Sequence, residues 1–247
     1  MCNFAIYNCK IEIEKMKKYI ILLVIIIGIG LPILAQSTNK SSKKQWAQYD
    51  RYAAHNKALQ KAPEVVFMGN SITDNWALLV PEFFVGNNYV GRGISGQTTE
   101  QMLARFRQDV VDLKPKIVVI LAGTNDIAQN NGPISNENIL NNIKSMCDIA
   151  RANNIIPVLC SVLPCDYYSW RKTMKPAPII IKLNKMIKEY ADEMGYNYID
   201  YHSALTTANG ALNPQYTNDR CHPTRGGYVV MMTIAQNVLL SMLNAEE

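Results

Sequence analysis

Eight residues near the middle of the chain constrain its fold more than any others. Residues 116–123 read KIVVILAG, an unbroken apolar run rich in β-branched side chains. A strand with one wet face alternates apolar and polar residues. A run without alternation marks a strand covered on both faces, as in a parallel sheet between helical layers. Shorter runs of the same kind recur at EVVFM (64–68), NNYVG (87–91), IIPVLCSVL (155–163) and YNYID (196–200).

Amphipathic stretches separate these runs. TTEQMLARFRQDVVDL (98–113) places Met102, Leu103, Phe106 and Val110 on one helical face, and Thr98 with Gln101 has capping-box spacing. NENILNNIKSMCDIARANN (136–154), APIIIKLNKMIKEYADEMG (177–195) and GGYVVMMTIAQNVLLSML (226–243) are the other long helices, and Gly195 closes the second of these. QWAQYDRYAAHNKALQKA (45–62) reads as a leading helix ended by Pro63. Strand and helix alternate, which predicts one parallel sheet with helices on both faces. No internal repeat or second domain is visible.

The first residues read as a targeting segment. From Met16 a Lys17-Lys18 pair precedes an apolar run, Ile20–Leu34, and Ala35 stands before Gln36. The run is shorter than the ~20 residues of a spanning helix and is broken by Gly28, Gly30 and Pro32. The expectation is a leader over 1–35 whose true start is Met16, a signal peptide cleaved after Ala35, a polar linker over 36–45, and one domain over 46–247. A periplasmic or secreted protein follows, with no stable membrane span after cleavage. No cysteine marks a lipoprotein cleavage site. Setting aside the four lysines and two glutamates of residues 1–35 reduces 25 basic and 20 acidic residues to 21 and 18. That balance excludes a nucleic-acid-binding charge pattern. Cys147, Cys160, Cys165 and Cys221 fit no zinc spacing. Cys165 and Cys221 are expected close enough to bridge, in loops past neighbouring strands.

In a parallel sheet, sites form beyond the carboxyl ends of the strands. Those ends carry Gly69-Asn70-Ser71, Gly91-Arg92-Gly93, Gly123-Thr124-Asn125-Asp126, and the segment holding Tyr167, Tyr168, Trp170 and Arg171. The loop before the last helix adds Asp219-Arg220-Cys221-His222. A serine needs a base to become nucleophilic, and the base needs an orienting partner. His222, three residues after Asp219, fits that pattern; Asp200 with His202 is a second pair of suitable spacing. Donors for a developing oxyanion are the N–H of Ser71, the N–H of Gly93 and the amide of Asn125. Tyr167, Tyr168, Trp170 and Arg171 are candidates to wall the site. Each residue alone has an ordinary structural role: helix cap, turn glycine or core aromatic. Their conjunction on four strand-end loops is what points to acyl transfer.

GNSIT, GRGISG, GTND and DRCHP resemble, in order and spacing, the four sequence blocks of the SGNH hydrolases, the GDSL-like lipase/acylhydrolase family. The resemblance implies a flavodoxin-like three-layer α/β sandwich with a five-stranded parallel sheet. It implies Ser71 as nucleophile, Ser71, Gly93 and Asn125 as oxyanion donors, and Asp219 with His222 completing a triad. That resolves the rival pair in favour of His222. Asn70 and Ile72 replace the Asp and Leu of the name motif, and Arg220 stands where the family more often has glycine. The implied activity is an exported serine esterase without metal or organic cofactor. It acts on a small-molecule or glycan ester, with acetyl groups preferred. A lysophospholipase or platelet-activating-factor-type acetylhydrolase is the alternative. Further alternatives are an acyltransferase or a non-catalytic binding module on the same fold.

Overall fold

A computed structural model describes residues 45–244. The expected leader, the start at Met16 and the linker up to residue 44 lie outside the described residues. The strands are β1 (Val65–Gly69), β2 (Tyr89–Gly93), β3 (Ile117–Leu121), β4 (Ile156–Cys160) and β5 (Asn197–Ile199). They form one sheet of order β2-β1-β3-β4-β5, every pair parallel. Pleating sends alternate side chains of each strand to opposite faces. Val66, Met68, Val118 and Ile120 join one core, and Val65, Phe67, Val119 and Leu121 join the other. β3, the KIVVILAG strand, is buried along its length.

The helices are α1 (Ala53–Ala58), α2 (Ser71–Leu79), α3 (Pro81–Gly86), α4 (Thr99–Asp109), α5 (Thr124–Ile127), α6 (Asn136–Ala152), α7 (Pro176–Met194), α8 (Tyr201–Leu205) and α9 (Arg225–Asn244). Helices α4, α6 and α7 cover the first core, while α2, α3, α8 and α9 cover the second. The capping box on α4 forms as expected, with both reciprocal bonds between Thr98 and Gln101 present. α9 is long and apolar enough by length and composition to cross a membrane. Its Tyr228, Met231, Ala235 and Leu239 are buried against the sheet, the stripe of a core helix.

The leading helix is much shorter than expected. A 3₁₀ turn (Tyr49–Arg51) precedes α1, and the helix ends at Leu59, which is extended. Neither segment buries a residue of its own, so no apolar face sustains a longer helix. Polar bonds hold the segment instead: Tyr52 donates to the Gly93 carbonyl, and Asn56 donates to Asp109 at 2.9 Å.

The order of connections places the site. From β1 the chain steps to β2 on one side, then returns past β1 to β3 on the other. A crevice opens where this direction reverses, beyond the carboxyl ends of β1 and β3. Ser71 follows β1 and Asn125 follows β3, so both stand at its mouth.

Candidate active site

Ser71 is the first residue of α2. Asn70 caps that helix, its side-chain oxygen accepting from the Ile72 N–H at 3.0 Å. Asn70 is buried, and an amide there meets the cap requirement without burying a charge. The helix is seated by aromatic packing. Trp76 stacks on Phe83 at 5.0 Å and meets Phe67 of β1 edge-on at 5.5 Å. The Tyr228 hydroxyl of α9 donates to the Ile72 carbonyl at 2.8 Å.

Arg105, wholly buried, ties the strand ends together below the serine. It donates to the carbonyls of Gly69 (3.0 Å) and Arg92 (2.9 Å), to the Gln97 side chain (2.6 Å), and to Asp109 (2.9 Å). Its signal in the sequence is its place on the apolar face, one residue before Phe106.

Ser71 Oγ lies 2.9 Å from His222 Nε2, and His222 Nδ1 lies 2.7 Å from Asp219 Oδ2. A carboxylate only accepts, so Nδ1 carries the proton and Nε2 accepts the serine O–H. The other Asp219 oxygen folds the loop about itself. It accepts from the N–H groups of Cys221 (2.9 Å) and His222 (2.7 Å) and from the Thr217 hydroxyl (3.2 Å). Partial burial pushes the Asp219 carboxyl up, but the bonds from His222 and Cys221 outweigh it and hold its pKa below the usual value.

The rival pair does not assemble. Asp200 caps α8, accepting from the Ser203 N–H at 3.1 Å. His202 donates its backbone N–H to Ser161, and its Nε2 is buried without a partner. His55 is engaged with Arg92, its Nδ1 at 3.0 Å from the guanidinium.

One expected donor is misplaced. Gly93 is the last residue of β2, paired with Gly69, and a side chain there would collide with the Asn70–Asp74 backbone. Its role is close packing beneath α2, and it is absent from the cleft. Three residues on, Gly96 lines the cleft with Ser71, Asn125 and His222. Gly96 has φ +84°, a left-handed turn that glycine makes without strain. The cleft, of about 430 Å³, is completed by Asn75, Ser95, Asn130 and Trp170. A larger hollow of about 570 Å³ lies at the opposite end of the strands, among Arg107, Asp112, Lys114 and Asn154, without a nucleophile–base pair.

Asn125 is held in a defined rotation. Its amide nitrogen donates to the Gln97 carbonyl at 3.0 Å, and its oxygen accepts from Asn130 at 3.0 Å. The same Asn130 nitrogen reaches the Gly96 carbonyl at 3.3 Å. Asp126, next in the chain, is buried and accepts from the Thr99 N–H (3.0 Å) and hydroxyl (2.5 Å) at the start of α4. Burial pushes its pKa up to about 6 against the pull of these bonds.

Of the four expected wall residues, only Trp170 lines the cleft. Its ring stands 6.5 Å from that of His222, and its N–H donates to Asn130 at 3.0 Å. Tyr168 is a correction: it is wholly buried, its hydroxyl paired with Thr124 at 2.9 Å, and it supports Trp170 from behind at 5.0 Å. Tyr167 lies under the Arg220 guanidinium at 5.0 Å. Arg171 is spent on the carbonyls of Ala128 and Gln129. Cys165 and Cys221 are buried free thiols. The neighbouring Cys165 and burial push the Cys221 thiol up, while Cys165 donates to the Tyr167 carbonyl at 3.3 Å. They are neighbours, as expected, but not bridged.

Residues 67–230 match the model of the GDSL-like lipase/acylhydrolase family. The fold is similar to a GDSL-like lipase of Bacteroides thetaiotaomicron, at 44% identity and TM-score 0.77 over 79% of this chain and 98% of that one. The chain is 25% identical to an acetylxylan esterase of Geobacillus stearothermophilus over 152 residues, 60% of this chain and 69% of that protein. It is 33% identical over 93 residues to the uncharacterized lipoprotein YqeF of Bacillus subtilis, 36% of this chain and 38% of that relative's length.

Proposed function

Because this chain belongs to the GDSL-like lipase/acylhydrolase family and is an acylhydrolase of ester bonds, we propose that Ser71 is its nucleophile and a short acyl ester of a carbohydrate its substrate. The observation that carries this is the hydrogen-bonded line from Ser71 through His222 to Asp219, 2.9 and 2.7 Å long. His222 takes the serine proton as Oγ attacks the ester carbonyl. The N–H groups of Ser71 and Gly96 and the second amide proton of Asn125 surround the oxyanion. His222 then protonates the leaving alcohol. Water, deprotonated by the same nitrogen, releases the acid from the acyl-serine.

The walls argue for the substrate. Asn75, Ser95 and Asn130 offer neutral hydrogen-bonding groups, and no apolar channel is among the residues that line the cleft. A long acyl chain would leave its methylenes in water and forfeit up to about 0.8 kcal/mol each. Acetyl loses least. The names of two relatives, an acetylxylan esterase and a lipoprotein, support a glycan ester met outside the cytoplasm.

The test is hydrolysis of p-nitrophenyl acetate, butyrate and octanoate by the protein from residue 36 onward, with Ser71→Ala as control. A kcat/KM falling from acetate to octanoate, and abolished by Ser71→Ala, is expected. A profile rising toward octanoate would move the reading to a lysophospholipid ester.

A further inference from the structure

The chain has three tryptophans. Trp76 is 1% exposed, whereas Trp46 and Trp170 are 49% and 44% exposed. The two exposed rings share an arrangement. Trp170 donates its indole N–H to Asn130 Oδ1 at 3.0 Å, and Trp46 donates its own to Asn131 Oδ1 at 3.2 Å. The anchors are consecutive residues, with Cα atoms about 3.8 Å apart. Each ring therefore has its one polar group satisfied and about half of its surface open to solvent, with Trp170 backed by Tyr168. A ring pinned this way loses little freedom on binding.

The ground between them is continuous with the cleft. Asn130 reaches Gly96 at its rim. Gln97, next in the chain, donates to the Ala47 carbonyl at 2.8 Å, and Gln101 donates to the Trp46 carbonyl at 2.7 Å. Asn131 is steadied by Glu100 at 2.6 Å. Side-chain amides and a hydroxyl, Ser95, dominate this strip. A flat apolar face flanked by amides, a hydroxyl and the carboxylate of Glu100 suits a pyranose ring, which offers C–H groups on its faces and hydroxyls around its edge. An acyl chain or bilayer would want contiguous apolar surface, which these two isolated rings do not make.

We propose that Trp46 and Trp170 form a two-ring platform that binds an extended neutral glycan leading into the cleft, so that the natural substrate is an esterified oligosaccharide or polysaccharide. Trp170 seats the sugar bearing the ester and Trp46 a sugar further along the chain. The proposal rests on the ester-hydrolase reading for its substrate class, but its binding test does not depend on turnover.

The test uses Ser71→Ala protein and its intrinsic fluorescence, to which buried Trp76 contributes a constant background. Probes are β-1,4-linked hexasaccharides and disaccharides of xylose and of glucose. A change in emission with a hexasaccharide, at an affinity at least about tenfold tighter than for its disaccharide, is expected. Trp46→Ala should erase that length dependence. No binding by either hexasaccharide, equal affinity for both lengths, or a length dependence that survives Trp46→Ala would overturn the platform. So would Trp46-dependent binding to phosphatidylcholine vesicles in place of the sugars. A protein that binds hexasaccharide but hydrolyses no p-nitrophenyl ester would instead refute the esterase reading and leave the platform standing.

Discussion

The two halves of the Ser71–His222 pair are held by different physics. Ser71 stands where a buried strand meets a buried cap: every residue of β1 is buried, Asn70 closes α2, and Arg105 fixes the last carbonyl of the strand. His222 stands in a loop closed by a backbone bridge between Thr217 and Pro223 and shaped by side-chain bonds nearer solvent. Asp219 is 48% exposed, and Arg220 reaches out to Asp166. The place of Ser71 is a consequence of the core. The place of His222 depends more on polar contacts near solvent. Damage should therefore differ in kind at the two ends.

Removing the reacting groups gives the largest effects. Ser71→Ala should cost about 10⁶ in kcat, the loss typical of a triad nucleophile, with melting temperature unchanged. Asp219→Ala should cost about 10⁴ in kcat, and it should also loosen the loop that folds around the carboxylate. Hydrogen exchange at the Cys221 and His222 amides, both bonded to Asp219, should speed up in Asp219→Ala and not in Ser71→Ala. Equal exchange in both variants would erase the distinction between the halves.

The same distinction governs what was legible in the sequence. The sheet was readable, because burial on both faces leaves apolar runs that nothing else explains. So were Ser71 and Asn125, since each follows such a run directly. Gly93 was misjudged for a physical reason. GRGISG holds three glycines, and only the pairing of Gly93 with Gly69 shows that the strand runs on before the chain turns at Gly96. Tyr168 and Trp170 sit two apart, yet one is core and the other cleft wall. Outside regular secondary structure no periodicity separates inward from outward residues. α1 was overextended because helical composition without a buried face does not sustain a helix. The Asn130 junction was invisible, as a polar residue in a polar loop always is.

Within the buried half, Asn125→Ala should reduce kcat by about 10²–10³, the usual loss for one oxyanion donor, with KM nearly unchanged. A loss expressed wholly in KM would make Asn125 a binding residue and detach it from the charge that develops in the transition state.

Two aspartates sharpen the contrast through pH. Asp126 is buried with its pKa up to about 6, from an ordinary value of 3.8. Asp219 is half-exposed and lowered. The folded state therefore binds the Asp126 proton more tightly than the unfolded chain does. Ionising Asp126 costs stability as pH rises from about 3.8 to 6, at up to about 1.4 kcal/mol per pH unit. Asp219 has the opposite sign. Its contribution is complete above pH 3.8 and is lost as pH falls through its lower folded value. Between pH 5 and pH 7 the Asp126 contribution falls, while His55 and His202, both lowered by burial, act in the opposite sense. In denaturant unfolding at the two pH values, Asp126→Asn should therefore shift the change from pH 5 to pH 7 in favour of pH 7, and Asp219→Asn should leave it as in the parent. An unchanged difference in Asp126→Asn would assign it to other groups.

The smallest expected effect lies at Arg220. Its φ of +69° belongs to the left-handed region, where a side chain is strained and glycine is not. The sequence difference at this position thus marks a real backbone demand, and arginine meets it by being anchored. Its Nε donates to Asp166 at 3.0 Å, its terminal nitrogen donates to the other oxygen of that carboxylate, and the guanidinium lies 5.0 Å over the Tyr167 ring. Arg220→Ala keeps the strain and loses the anchor. Arg220→Gly loses the anchor but removes the strain. Asp166→Asn keeps the strain and weakens the anchor. Melting temperature and kcat should therefore fall furthest in Arg220→Ala, with Arg220→Gly above it in both. If Arg220→Ala were as stable and active as Arg220→Gly, backbone strain would have no part in setting His222. If all three variants matched the parent protein, the Asp219 bonds alone would hold the exposed half of the site, and the anchor to Asp166 would be incidental.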